Sequence, residues 1–364
     1  MKKKLLGGLF LLSLVGFGQE AANFKNIEAT YFYGSIFEHN KDVAHLITGH
    51  PEGIVLSYNN LTYGENAWER RYNYPDWGYS FIYQNPKNDA LGDTYGLYAH
   101  YSFYFLNRTI KAKIGQGIAI STNPYDAQTN FKNIAYGSTL LSSTFVQLGY
   151  DKKNLFKRWG VHAGISLVHY SNANVRAPNT STNTIAFYAG VSYDLNNNGF
   201  PEYIQEEKTP YRQPITINAV IRGGINESDF VGLGQQPFVV LSGFADKRIN
   251  HKSTIQAGVD VFFSTFLKKE IEYIAVSFPR RNLSEDTDYK RVGVFLGHEL
   301  RFGRIAFVTQ FGYYLYYPYD FEGRFYQRIG LKRYFGEQFF AAVTLKAHAA
   351  KAEAIEFGIG MRFN

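Results

Sequence analysis

Apolar residues alternate with polar or small residues along most of the chain, and this two-residue period constrains the fold more than any other feature. The final segment shows it well, because one face carries Ile355, Phe357, Ile359, Met361 and Phe363 while the other carries only Gly, Glu and Arg. A period of two is that of a β-strand whose faces meet different surroundings. Because the pattern recurs from end to end without a helical period to supply a covering layer, it favours a closed antiparallel barrel that faces lipid.

Turn signals divide this pattern into sixteen candidate strands, although any even number from twelve to sixteen fits. No shift in composition marks a domain boundary, and the polar stretches 196–213 and 266–289 have candidate strands on both sides. We therefore interpret both stretches as long loops. The expected fold is all-β, a transmembrane antiparallel β-barrel of about 12–16 strands, with residues 19–364 forming a single outer-membrane barrel.

The aromatic content also indicates a membrane barrel. Phe, Tyr and Trp make up 17% of the chain, about twice the share of an ordinary soluble domain. Several of them cluster at a strand end, where membrane barrels place interfacial girdles: Tyr313, Tyr314, Tyr316, Tyr317 and Tyr319. The alternative is aromatic filling of a soluble periplasmic β-sandwich, which should show turns at more regular spacing.

The N-terminus predicts export. Residues 1–18 combine three lysines, Lys2 to Lys4, with an apolar stretch from Leu5 to Phe17 and then Gly18, which is the pattern of a secretory signal peptide. That apolar stretch is shorter than the roughly 20 residues of a spanning helix. The formal charge of +7 includes the three lysines, so the exported chain is too weakly basic to indicate nucleic-acid binding.

Cysteine chemistry is excluded, because the chain contains no cysteine for a disulfide, a thiolate metal site or a nucleophile. One cluster of charged residues near the C-terminus, around His348, also requires an interpretation. It comprises Lys346, His348, Lys351, Glu353 and Glu356. Because the interior of a membrane barrel is normally polar, we interpret the cluster as a lumenal ionic network, with a second active site as the alternative.

The predicted strand 158–171 carries a polar pair on its apolar side. Trp159, Val161, Ala163, Ile165 and Leu167 share one face, and His169 and Ser171 continue that face at the far end. Trp159 and His169 are ten residues apart, which corresponds to about 25 Å of height in a tilted strand. We therefore expect His169 and Ser171 to face outward where acyl chains meet headgroups.

The next predicted strand, 184–195, brings a third polar group to the same place. Asn183 continues the apolar face of that strand at its loop end, and a hairpin would set it beside His169 and Ser171. Side chains two apart on a strand have Cα atoms roughly 6.6 Å apart, close enough for an imidazole to meet a hydroxyl. A Ser–His contact of this kind is the nucleophile–base pair of acyl transfer. Polar residues at the membrane interface that have no catalytic role would give the same sequence pattern.

The segment His169-Tyr170-Ser171-Asn172-Ala173, followed by Pro178-Asn179 and a polar residue at 183, resembles the active-site segment of the lipid A 3-O-deacylase family of outer-membrane barrels. The segments 45–51 and 72–75 resemble, more loosely, the longer, acyloxyacyl hydrolase-like branch of this family. The resemblance implies an esterase that hydrolyses an ester-linked acyl chain of lipid A in the outer membrane, without a cofactor or metal.

By the same resemblance, Ser171 would be the nucleophile and His169 the general base. Asn172 and Asn179, or nearby backbone amides, would be candidates for the oxyanion hole. The family pattern has Glu as the third member of the triad, whereas this chain has Asn183. An amide can orient a histidine but cannot stabilise imidazolium by charge, so weaker activity or another acid is expected.

The length of the chain is a second departure from the family pattern. Short members close an eight-stranded barrel after the active-site segment, whereas about 170 residues follow it here. If the first eight strands match, strand 158–171 runs outward and His169 lies at the outer leaflet, where lipid A is. The rival to the esterase is a non-enzymatic pore or structural barrel, which keeps the Ser–His segment without its chemistry.

Overall fold

A computed structural model describes residues 24–196, 201–205, 211, 213–349 and 351–363 of the chain. The predicted signal peptide, 1–18, lies outside the described residues. Sixteen strands account for most of the described chain, so the all-β prediction and the count of sixteen are confirmed.

The first eight strands are β1 (Lys25–Ile36), β2 (Glu52–Asn60), β3 (Asp76–Asn85), β4 (Thr94–Phe105), β5 (Ile110–Ser121), β6 (Leu140–Phe156), β7 (Trp159–Ser171) and β8 (Thr182–Asp194). The second eight are β9 (Thr216–Asn226), β10 (Gln236–Arg248), β11 (Ser253–Ser264), β12 (Arg291–Phe302), β13 (Ile305–Tyr316), β14 (Phe325–Phe335), β15 (Phe339–His348) and β16 (Lys351–Phe363). Two α-helices, α1 (Ala67–Arg71) and α2 (Thr265–Ser277), and two short 3₁₀ helices, Lys41–Leu46 and Pro279–Arg281, lie in the connections.

The strands close into two antiparallel barrels of eight strands each, not into one wide barrel. In barrel 1, β8 pairs with β1, with Ala29 opposite Val191. In barrel 2, β16 pairs with β9, with Ile359 opposite Ile221. The prediction of a single barrel from residue 19 to 364 is therefore wrong. Alternation indicates which way each side chain points, but it does not indicate which two strands pair to close the barrel.

Burial in both barrels is the reverse of that in a soluble protein. Phe187 in β8 and Leu296 in β12 expose 76% and 70% of their surface, whereas inward-facing Glu356 and Arg328 are fully buried. An apolar face of this size would be unfavourable in water, whereas the outer surface of a barrel that spans a bilayer must be apolar. This distribution is that of barrels whose outer surface contacts lipid, and it argues against a soluble sandwich. Among the described residues, no helix combines the length and the apolar composition needed to cross a bilayer.

Charged side chains fill the interior of barrel 1. Lys111 lies 2.9 Å from Glu28 and 2.8 Å from Asp151, and Lys113 lies 2.5 Å from the second oxygen of Glu28. An eight-stranded barrel is just wide enough for its side chains to fill it. These ion pairs therefore occupy the space that an open channel would need.

Barrel 2 is filled in the same way. Arg328 bridges Asp260 at 3.0 Å and Glu356 at 2.5 Å. The predicted cluster around His348 is lumenal, since Glu353 accepts from Lys346 at 2.6 Å and lies 3.5 Å from His348. Aromatic rings complete the filling: Phe244, Phe262, Phe295, Tyr314, Tyr326 and Phe340. Interiors packed in this way argue against the alternative of a non-enzymatic pore.

One predicted loop is partly helical. The stretch 266–289 contains most of α2, whose Phe266 and Ile271 are buried against Tyr319 and Phe321. Glu270 faces the same cluster and accepts hydrogen bonds from Ser228 Oγ at 2.5 Å and from Tyr319 Oη at 2.6 Å. The polar residues of the stretch suggested a loop, but the apolar side of one short helix was enough to form a small core.

The described chain forms two compact units. The first comprises residues up to 123, 142–170 and 182–206, and contains barrel 1. The second comprises 124–141, 171–181 and 207–364, and contains barrel 2. The segment 171–181, which follows the predicted active-site histidine, thus belongs to the second unit by its contacts.

Candidate active site

The end of β7 carries the predicted serine and histidine. The outward face predicted for this strand is observed, because Trp159, Val161, Ile165 and Leu167 are exposed. His169 continues that face and is half-buried, whereas Ser171 is only 5% exposed. Asn179 and the Ala173 N–H cover the Ser171 hydroxyl group, so the outward position expected for Ser171 stays a prediction.

The backbone turns sharply after Ser171. Ala173 and Asn174 have φ angles of 53° and 62°, in the left-handed region that residues other than Gly, Asn and Asp seldom adopt. This turn brings the Ala173 N–H to 2.9 Å from Ser171 Oγ. Two consecutive left-handed residues beside a candidate nucleophile are the kind of backbone outlier that clusters at functional sites.

Asn179 holds the serine hydroxyl. Ser171 Oγ donates to Asn179 Oδ1 at 3.1 Å, and the Asn172 backbone N–H donates to the same oxygen at 2.9 Å. A backbone N–H can only donate, so the amide atom that faces it must be the oxygen. The Nδ2 of Asn179 therefore points away from these two donors, and it donates no hydrogen bond within the described part of the chain.

Asn172, an expected oxyanion-hole candidate, is hydrogen-bonded within the segment after Ser171. Its Nδ2 donates to the Arg176 carbonyl at 2.6 Å, and its backbone N–H is taken by Asn179. Its Oδ1 is buried and accepts no hydrogen bond within the described residues. Arg176 thus engages one of the two N–H groups of Asn172 Nδ2, whereas both N–H groups of the half-buried Asn179 Nδ2 are unengaged among the described residues.

His169 and Asn183 form the predicted cross-strand pair. They are directly opposite each other in the β7–β8 ladder, and His169 Nδ1 lies 2.8 Å from Asn183 Oδ1. Because the amide oxygen only accepts, His169 must carry its proton on Nδ1. The other ring nitrogen, Nε2, is then unprotonated, as a general base requires.

A second histidine, which the sequence analysis missed, reaches the same amide. Asn183 Nδ2 donates to His39 Nδ1 at 3.2 Å, and the Phe37 N–H donates to the Asn183 carbonyl at 2.7 Å. His39 follows β1, which is far from β8 in sequence and pairs with it only because barrel 1 closes. No local pattern in the sequence indicates this contact.

Ser171 and His169 are brought to the same strand end but are not hydrogen-bonded to each other. The Ser171 hydroxyl has Asn179 and Ala173 as partners, whereas the His169 ring has Asn183. Catalytic hydrogen bonds are often absent from ligand-free sites and form in the substrate complex. Rotation about one side-chain bond of Ser171 would release Asn179 and redirect the hydroxyl group.

The segment after Ser171 is anchored within the second unit. Glu227 accepts from the Ala177 N–H at 3.1 Å and from the Gly234 N–H at 3.0 Å. Its own backbone pairs with Asn174, whose carbonyl accepts from the Glu227 N–H and whose Nδ2 donates to the Glu227 carbonyl, both at 2.9 Å. Residues beyond 200 therefore take part in shaping the segment that carries Asn179.

Comparison with solved structures returns porins. Three mutants of Rhodopseudomonas blastica porin are 10%, 11% and 10% identical to this chain, with TM-scores of 0.19, 0.18 and 0.20. Each alignment covers 93% of this chain and 99% of the porin chain. Scores this low carry no argument, so the fold rests on the strand pairing described above. No curated protein matches the chain.

Comparison with protein families is informative. Residues 52–192, which include the whole of β7 and the Asn183 end of β8, match the family described as lipid A 3-O-deacylase (PagL). Residues 215–364, which form barrel 2, match the family described as acyloxyacyl hydrolase, C-terminal domain. The two ranges together span most of the chain; the first covers β2 to β8 of barrel 1, without β1, and the second contains all eight strands of barrel 2. The chain therefore belongs to the lipid A 3-O-deacylase family of ester hydrolases, in the branch that carries the acyloxyacyl hydrolase C-terminal domain.

Proposed function

We propose that this protein is an outer-membrane esterase that removes an ester-linked acyl chain from lipid A, with Ser171 as nucleophile and His169 as general base. The observation that carries the proposal is the contact between His169 Nδ1 and Asn183 Oδ1 at 2.8 Å. It fixes the imidazole in the tautomer whose Nε2 can accept a proton. The family match supplies the substrate class, and the site supplies the mechanism.

The chemistry follows from these groups. His169 Nε2 takes the proton from Ser171 Oγ as the oxygen attacks the ester carbonyl carbon, which gives a tetrahedral intermediate. The intermediate then breaks its bond to the sugar oxygen, and His169 returns the proton to that leaving oxygen. Water, deprotonated by His169, next attacks the acyl-serine, releases the fatty acid and restores the serine hydroxyl group.

The oxyanion of the intermediate requires donors beside Ser171. Asn179 Nδ2 is unengaged among the described residues, and the Ala173 N–H already points at Ser171 Oγ at 2.9 Å. When Ser171 Oγ becomes bonded to carbon, that N–H is in place for the adjacent oxyanion. One such donor contributes a factor of about 10²–10³ to kcat in other acyl-transfer enzymes.

The outer surface of barrel 1 suits an acyl substrate. Below His169 the lipid-facing side chains of β7 and β8 include Ile165, Leu167 and Ile185, all exposed. An acyl chain of lipid A can lie along this face with its ester at the level of His169, where hydrocarbon meets headgroups. The lipid-facing surface and the predicted signal peptide support our proposal that the enzyme lies in the outer membrane, with the β7–β8 connection on the outer side.

The test is mass spectrometry of lipid A from cells that express the wild-type protein or Ser171→Ala. We expect the wild type to remove one acyl mass and the variant to remove none. Ser166→Ala is the matched control, because Ser166 lies on the same strand but faces the interior and is buried. Equal deacylation by wild type and Ser171→Ala, with both folded in the outer membrane, would exclude Ser171 as nucleophile. Unaltered lipid A with all three proteins would favour a structural barrel.

A further inference from the structure

We infer that His39 is a positioning residue that holds the Asn183 amide in the orientation His169 needs. The inference rests on the proposed function and adds a fourth member to the site. The contact that carries it is the hydrogen bond from Asn183 Nδ2 to His39 Nδ1 at 3.2 Å. His39, Asn183 and His169 therefore form one row of hydrogen-bonded groups within the first unit.

An amide in the acid position creates a problem that a carboxylate does not have. The two oxygens of a carboxylate are equivalent, so either can accept from the imidazole. An amide has one acceptor and one donor end, and rotation by 180° exchanges them. With Nδ2 against His169 Nδ1, the imidazole would carry its proton on Nε2, and it could not accept the proton of Ser171.

His39 distinguishes the two orientations. In the observed orientation its Nδ1 lone pair accepts from Asn183 Nδ2, so both ends of the amide are satisfied. In the rotated orientation the amide oxygen would face that lone pair, and two acceptors would oppose each other. The same Nδ1 lies 3.2 Å from the Phe37 carbonyl, to which it would donate if it carried the proton. Only the form of His39 with an unprotonated Nδ1 therefore supports Asn183.

The chain around His39 is itself held in place. The Phe37 N–H donates to the Asn183 carbonyl at 2.7 Å, which continues the β1–β8 ladder by one residue. Asn40 caps the following 3₁₀ helix by accepting from the Asp42 N–H at 3.0 Å. His39 is exposed and lies between these two hydrogen-bonded points of the backbone, which together hold its ring beside Asn183.

The first experiment compares His39→Asn with His39→Leu, which are similar in size. The Asn Oδ1 occupies the place of the histidine Nδ1 and can accept from Asn183, whereas Leu cannot. We expect kcat for lipid A deacylation to fall about tenfold or more in His39→Leu, with KM little changed, and to be largely kept in His39→Asn. His50→Ala is the control, because His50 lies in the same connection but bonds to the Gly34 carbonyl.

The second experiment repeats His39→Leu in an Asn183→Glu background. A carboxylate needs no orienting partner, so we expect His39→Leu to cost less than twofold there. Equal losses in both backgrounds, or equal losses in His39→Asn and His39→Leu, would overturn the inference, as would no loss at all. If deacylation requires Ser171 but not His39, only the inference is refuted. If Ser171→Ala keeps full deacylase activity, the proposed function is refuted as well.

Discussion

The Nδ1 atom of His169 lies 2.8 Å from the amide oxygen of Asn183, and the two residues are directly opposite each other in the β7–β8 hairpin. The contact sets the tautomer of the imidazole without adding charge. In serine hydrolases with an acidic third residue, the carboxylate also stabilises the imidazolium that forms during the reaction. This chain keeps the first effect and lacks the second.

Asn183→Glu should therefore increase the rate. We expect kcat to rise about tenfold, because the imidazolium gains a charged partner while the geometry of the hairpin is unchanged. The measurement is the initial rate of deacylation of purified lipid A in detergent micelles. Thr184→Ser, next in the strand but inward-facing and buried, is the control. A fall in rate with Asn183→Glu would show that the amide is required in itself.

Glu227→Ala should loosen the segment after Ser171. The substitution leaves the buried Ala177 N–H without its carboxylate partner, at a cost of about 1–3 kcal/mol, and releases the N–H of the exposed Gly234 to water. We expect faster tryptic cleavage after the exposed Arg176 and a lower kcat. Glu285→Ala, which changes an exposed carboxylate of the same unit, should cleave like the wild type. Unchanged cleavage with Glu227→Ala would mean that other contacts hold the segment.

Phe187→Arg tests whether the outward face contacts lipid. Phe187 is 76% exposed in the middle of β8, so a charge there would be harmless in water but should cost about 2–4 kcal/mol in the centre of a bilayer. The measurement is the free energy of unfolding from vesicles in urea. Leu106→Arg is the control, because Leu106 is 77% exposed in the turn after β4. Equal stability of the two variants would contradict a lipid-facing position for Phe187.

Glu270 should make the packing of α2 depend on pH. Burial raises the pKa of the Glu270 carboxyl above its usual value, although hydrogen bonds from Ser228 and Tyr319 oppose the rise. The folded helix therefore favours the neutral acid, and its stability should fall as the pH rises from the ordinary carboxyl pKa through the raised one.

The measurement for Glu270 is amide hydrogen exchange of α2 across this pH range, corrected for the intrinsic exchange rate. Glu270→Gln should keep the packing and remove the pH dependence, because its amide never ionises. The same pH dependence in Glu270→Gln would assign the effect to another group. Glu272→Gln, on the same helix but partly exposed and paired with Lys269, is the matched control.

Much of the site was predictable because hairpin geometry is local. The alternation along 158–171 and 184–195 assigns each side chain to a face, and a hairpin of these two strands sets Asn183 opposite His169. Asn179, which accepts from the Ser171 hydroxyl group, was named only through the resemblance to the deacylase family and not through strand geometry. The hydrogen-bond partners of Asn179 and Asn172 were not predicted, because they depend on how the backbone of the segment after Ser171 folds.

The strands, their inward and outward faces and the hairpin that aligns His169 with Asn183 follow from the amino-acid sequence, because each of these depends on neighbours within one or two strands. The closure of the sixteen described strands as two barrels, the contact of His39 with Asn183 and the anchoring of the segment after Ser171 by Glu227 depend on tertiary contacts. Each of these contacts joins residues at least 50 positions apart, and local alternation carries no information about which distant edge or loop receives a hydrogen bond.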